Sequence, residues 1–175
     1  MSRESVTLTG REVVFADEEI IVSKTDPKGR ITYANKVFQR VSGYSERELM
    51  GAPHSIIRHP AMPRGVFKLL WDTIAGGHEC FAYVINRARS GDHYWVFAHV
   101  TPSYDPRTDA LVGYHSNRRT ADRRAVRAIE PVYAAVRDVE ARHASPTAAA
   151  AAGAAFVVDF LAKQGVSYDE YIFSL

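Results

Sequence analysis

Three β-rich runs between Cys80 and Asn117 constrain this chain more than anything else in it. Cys80 to Arg89, Asp92 to Val100 and Leu111 to Asn117 are separated by the turn formers Ser90-Gly91 and Asp105-Pro106-Arg107-Thr108-Asp109. Runs this short, joined this closely, pair as antiparallel neighbours. Upstream, Ile20 to Thr25 and Arg30 to Ala34 flank the turn Asp26-Pro27-Lys28-Gly29 and predict a further hairpin. Helical spacing then appears between Asn35 and Val41 and again from Val66 to Ala75, which Gly76-Gly77 closes. Ser45 with Glu48 three residues on is a capping box for a one-turn helix. Two strands, short helices and three antiparallel strands make an α+β order.

Residues 1–19 are polar around Val13, Val14 and Phe15 and read as a short helix or cap. Residues 20–119 hold the alternating pattern, and residues 120–175 read as a helical extension. There Val126, Ile129, Tyr133 and Val136 form a stripe from about Ala121 to Arg142, which Pro131 should kink or segment. Ser145-Pro146 is an N-cap and first-turn pair for a last long helix ending at Gly165.

Net charge is +2 with 24% charged residues, so nothing argues for a nucleic-acid partner. The cluster Arg118, Arg119, Arg123, Arg124 and Arg127 interleaves with Asp122 and reads as a solvated helix face. One cysteine, Cys80, allows no internal disulfide and fits a reducing compartment. No apolar run of 18 residues is present and the N-terminus lacks a signal-peptide pattern, so the expectation is a cytoplasmic protein without a membrane span. Nucleophile-elbow, Walker and zincin motifs are absent, and the expectation is a non-enzyme.

The ordered blocks Asp26 to Asn35, Ser42-Gly43-Tyr44-Ser45, Gly51-Ala52-Pro53-His54, Arg58-His59-Pro60, Met62-Pro63, Asn86-Arg87, Gly91 to Trp95 and Thr101-Pro102 resemble the PAS domain of bacterial aerotaxis transducers. The resemblance covers about Thr25 to Arg119. It implies a five-stranded antiparallel sheet with short helices on one face, a bound FAD and a role in signalling redox, oxygen or energy state. Asn86 offers an amide donor and acceptor for a flavin edge, although an asparagine late in a strand can equally serve a turn. Trp71 suits a flavin wall or ordinary core packing. Arg58 and His59, beside two prolines, suit a rigid loop holding a pyrophosphate or the flavin edge, or a solvated loop. By the same resemblance His54, Ser23 and Asn35 lie near the pocket, where an ordinary structural role is the equal alternative for each. The family's acidic residue after the Arg-His-Pro segment is replaced here by Ala61.

A histidine-ligated haem is the alternative cofactor; a cofactor-free dimerisation module is a third reading. Residues 54–64 contain no cysteine, which removes the residue that light-oxygen-voltage domains need for photoadduct chemistry. If Tyr94, Val96 and Ala98 face inward, Trp95 and Phe97 point outward as an apolar patch needing cover, from residues 1–19 folding back or from a second subunit. That outer face, or the helical tail, is the expected surface for a homodimer or a chemoreceptor or kinase partner.

Overall fold

The computed structural model describes residues 6–175. Strands β1 (Ile21–Thr25), β2 (Ile31–Ala34), β3 (Cys80–Arg87), β4 (His93–Tyr104) and β5 (Leu111–Thr120) form one sheet in the order β2-β1-β5-β4-β3, antiparallel throughout. Between β2 and β3 lie α1 (Lys36–Ser42), α2 (Glu46–Leu49), a 3₁₀ turn over His54–Ile57 and α3 (Arg64–Ala75). The capping box at Ser45 and Glu48 forms as the sequence predicts. Glycine is required at Gly29, where φ is +77° and a Cβ would press on the Trp71 ring at 3.0 Å.

Three helices follow the sheet: α4 (Arg123–Glu140), α5 (Pro146–Gln164) and α6 (Tyr168–Ser174). Ser145 caps α5 and Gly165 ends it at φ +70°. Pro131 does not segment α4, which runs unbroken through it. Its ring costs the bond to the Arg127 carbonyl, but Arg127 is exposed and water can replace that bond. Residues 6–19 form no helix; they are irregular up to a turn at Asp17-Glu18, with Glu12 bridged to His93 and the Val13 amide bonded to the His93 carbonyl at 2.7 Å. The remainder of the expected N-terminal cap, residues 1–5, lies outside the described residues.

The outer sheet face is not open, in correction of the expectation for Trp95 and Phe97. Tyr133 of α4 stacks on Trp95 at 6.3 Å and donates its hydroxyl to the Tyr83 carbonyl at 2.6 Å. Phe173 of α6 meets Phe81 at 4.8 Å and Phe97 at 6.1 Å. Trp95 is only 7% exposed as a result. The chain's own helices cover the face because α4 presents Ala125, Val126, Ile129, Tyr133 and Val136 as one buried stripe. α5 packs on α3 and α4, buries Ala149, Gly153, Ala154, Val157 and Leu161, and meets Gly65 of α3 at Gly153 and Ala154. By length and composition α5 also meets the measure of a membrane-crossing helix, which the sequence reading did not anticipate.

Candidate functional site

A cavity of about 380 Å³ lies between the inner sheet face, α3 and the 3₁₀ turn. Strand alternation places its walls: Val84 and Asn86 from β3, Ala98 and Val100 from β4, Tyr114, Ser116 and Arg118 from β5, Ser23 and Thr25 from β1. Helix α3 contributes Phe67, Leu70, Trp71 and Ile74, one apolar stripe of an amphipathic helix. Trp71 meets Tyr114 edge to face, centroids 5.4 Å apart, and closes the mouth beside Gly29.

Of the residues singled out in the sequence, Ser23, His54, Arg58, Trp71 and Asn86 line this cavity together. Asn35 and His59 do not. The Asn35 side chain accepts from the Phe38 and Val22 amides and donates to the Ile20 carbonyl, so the requirements of an α1 N-cap occupy it. His59 is buried elsewhere, its Nδ1 accepting from the Ala61 amide and its ring 6.0 Å from His93. Burial, then the neighbouring His93, Arg87 and Arg137 charges, depress its pKa to about 4.

The residue missed in the sequence is Arg118. It belongs to β5, not to a solvated helix face, and is 2% exposed. Its Nη2 donates to Ser23 Oγ and its guanidinium lies 4.5 Å over the Phe38 ring. Its Nε and Nη1 are buried without a hydrogen-bond partner, and no carboxylate pairs with it among the described residues. Asn86 Nδ2 and Thr25 Oγ1 are likewise buried without a partner. Each such donor costs about 1–3 kcal/mol, so a cavity that gathers several has a polar complement to accept. Extending the alternation Tyr114, Ser116 by one step would have placed Arg118 in this wall.

The buried charge shapes its neighbours. Enclosure, then the Arg118 cation, push the His54 imidazole down to about 3, so His54 stays neutral; its Nε2 is 3.4 Å from Ser23 Oγ. Desolvation lowers Arg118 itself only to about 10, so it remains a cation near neutrality. Cys80 is buried in β3, and its thiol is pushed up to about 12 by burial first and Asp169 second, so it is no thiolate.

A family model described as the PAS fold matches residues 31–115. The aerotaxis receptor of Escherichia coli (strain K12) is 40% identical over 129 residues, 74% of this chain and 25% of the receptor. A nitrogen fixation regulatory protein of Klebsiella pneumoniae is 32% identical over 87 residues, 50% of this chain and 18% of that protein. Among solved structures, the light state of the blue-light photoreceptor Aureochrome1 LOV aligns with a TM-score of 0.54 at 21% identity, covering 65% of this chain and 88% of that one. A light-oxygen-voltage domain studied with a flavin analogue aligns with a TM-score of 0.55 at 17% identity, covering 63% and 82%. These two likenesses concern the fold. The chain spans about a quarter of the aerotaxis receptor it matches. Five antiparallel strands, the helices that roof them and this kinship agree: the chain belongs to the PAS domains of the bacterial aerotaxis-receptor type.

Proposed function

We propose that this PAS domain binds FAD in the cavity and signals redox, oxygen or energy state by protein contact from the cytoplasm. The observation that carries the reading is the set of unpartnered buried donors, Asn86 Nδ2 with Arg118 Nε and Nη1, facing a largely apolar cavity. Apolar walls with a few convergent polar groups suit a flat heteroaromatic ring. A flavin ring, rich in acceptors along one edge, fits such donors, and kinship with an aerotaxis receptor points the same way. When bound, a flavin takes up and releases electrons, with changes of charge and protonation at its ring edge.

The chain's own residues would hold and read that edge. Asn86 supplies donor and acceptor together. Arg118 holds a positive charge against an electron-rich edge inside a low-dielectric wall. Neutral His54 and Ser23 orient the guanidinium, and Trp71, Leu70, Ile74 and Val84 exclude water. Asn86 and Tyr83 lie on opposite faces of β3, and Tyr133 of α4 bonds the Tyr83 carbonyl. A change at Asn86 thus sits on the strand that α4 itself contacts, on its opposite face. Since the outer face is already covered, α4 to α6 are the assigned contact for a receptor or kinase partner or a second copy.

Haem is the weaker fit. His54 is the one histidine lining the cavity, and its Nε2 faces Ser23 and a fixed cation. The test is a titration of FAD into apoprotein with wild type and Arg118→Met, followed by flavin fluorescence. Affinity is expected to fall by about tenfold or more in the variant while the apo melting temperature holds or rises. Removing a buried charge removes its desolvation cost, which offsets the lost contacts to Ser23 and Phe38. Unchanged FAD affinity would remove Arg118 from the site.

A further inference from the structure

Helix α3 carries the apolar wall of the cavity, Phe67, Leu70, Trp71 and Ile74, yet nothing in its own sequence holds its first turn. Pro63 offers no side-chain acceptor at the N-cap position, so the Arg64 and Gly65 amides need one from elsewhere. Glu140, buried at the end of α4, supplies it at 3.0 Å and 2.7 Å. Helix α5 closes over this joint. A Cβ at Gly65 would come within 2.3 Å of the Gly153 carbonyl carbon and the Ala154 nitrogen. A Cβ at Gly153 would come within 2.4 Å of Glu140 Oε1. Three helices thus meet at one point, with the carboxylate held between them.

The α5 side of the joint fits closely but is modestly held. Its buried face is Ala149, Gly153, Ala154, Val157 and Leu161, and small side chains bury little apolar area. The helix does not need the joint in order to stay formed. Its alanines favour helix, Ser145 accepts from the Ala148 amide, and Gly165 ends it in the left-handed region. Only the exposed connection 141–145 separates Glu140 from α5, so a shift of α5 carries the cap with it. We infer that α5 is a latch on the cavity. Docked, it seats Glu140 on α3 and fixes the wall; released as an intact helix, it withdraws the cap and loosens that wall. Ligand in the cavity and docking of α5 are then linked equilibria, each favouring the other. This route runs through α3 and is separate from the one through β3 and Tyr133. It rests on the flavin reading only for the identity of the ligand that probes it.

Hydrogen exchange and FAD titration of the full chain test the latch with Gly153→Ala. Gly153 lies outside the cavity, and its added methyl must displace the Glu140 carboxylate. In apoprotein the variant should speed exchange from Arg64 to Trp71 by about tenfold or more. Unchanged exchange in β4 and β5 reports that it folds. Its FAD affinity should fall by about fivefold or more, and saturating FAD should slow exchange across α5 in wild type. Glu140→Ala should show the same two losses. Adding Gly153→Ala to it should change little further, because the methyl then has nothing to displace. Should Gly153→Ala fail to fold, Glu140→Gln, which keeps one acceptor oxygen and the packing, takes its place. Unchanged α3 exchange in the folded variant overturns the latch, and so does faster α3 exchange with unchanged FAD affinity. Additive effects of the two substitutions overturn it too. A wild type that binds no FAD overturns the flavin reading alone, and the apoprotein exchange then decides the latch.

Discussion

Arg118 and His54 set the electrostatics of the cavity together, and they give the protein an acid-sensitive stability. His54 is held neutral to about pH 3 and His59 to about pH 4, in each case by burial first and neighbouring cations second. An unfolded histidine takes up its proton near pH 6.5. Between about pH 6.5 and pH 4 the unfolded chain therefore binds protons that the folded chain refuses. The histidine contribution is complete above about pH 6.5 and is lost as pH falls toward 4. The melting temperature should hold from about pH 8 to 7 and decline below about 6.5, with a shallower decline for His54→Asn. Thermal melts across pH check this; a wild-type profile flat down to about pH 4 would contradict it.

Helix α3 carries the cavity's apolar wall, and its first turn is held by another element. Pro63, at its N-cap position, has no side chain able to accept from the first amides. Buried Glu140, at the end of α4, fills the role, accepting from the Arg64 amide at 3.0 Å and the Gly65 amide at 2.7 Å. Arg137, one turn earlier on α4, donates to the Ala61 carbonyl. The joint is built for close approach. A Cβ at Gly65 would strike the α5 backbone at Gly153 and Ala154, and a Cβ at Gly153 would strike the Glu140 carboxylate. Glu140→Ala is expected to cost about 1–3 kcal/mol, since it orphans the buried Gly65 amide and the partly buried Arg64 amide, and to loosen flavin binding through α3. Denaturant melts and FAD titration of the variant check both halves; intact stability would mean that water replaces the cap.

The elements themselves were largely legible in the sequence, for local reasons. Alternation, turn chemistry and capping boxes act over a few residues, so the hairpins, the Ser45 box and the Ser145-Pro146 start could be read directly. Five of the seven residues singled out for the site line one cavity, because strand and helix periodicity fixes which side chains share a face. What was not legible depends on distant chain. Arg118 was hidden inside an arginine run whose first member ends a strand while later members start a helix. Asn35 carried a local signal for capping that outweighs its nearness to the pocket. Nothing local to Glu140 announces that it caps a helix 75 positions away.

At the scale of the whole molecule, the C-terminal helices complete the fold rather than trail from it. Trp95, Phe97, Phe81 and Tyr83 form an aromatic face on β3 and β4, and α4 with α6 cover it. Each aromatic pair is worth about 0.5–1.5 kcal/mol beyond the area it buries. A chain ending at Thr120 exposes that face and the edge of β3. Such a truncation is expected to self-associate or precipitate, with a larger mass in light scattering than the intact chain. A truncation with the intact chain's state of association, as soluble and as stable, would mean that the helices are an independent appendage. On the proposed function, signalling would shift how tightly α4 to α6 dock, biased from the cavity.

The central claim, a flavin held by Asn86 and Arg118, is tested most directly by the absorbance spectrum of the freshly purified protein. The supernatant after heat denaturation is run beside it. A flavin band near about 450 nm is expected, with FAD released on heating. A Soret band would instead assign the cavity to haem. A protein that is colourless and retains no added FAD after desalting would contradict the flavin site and leave a PAS domain that works by protein contact alone.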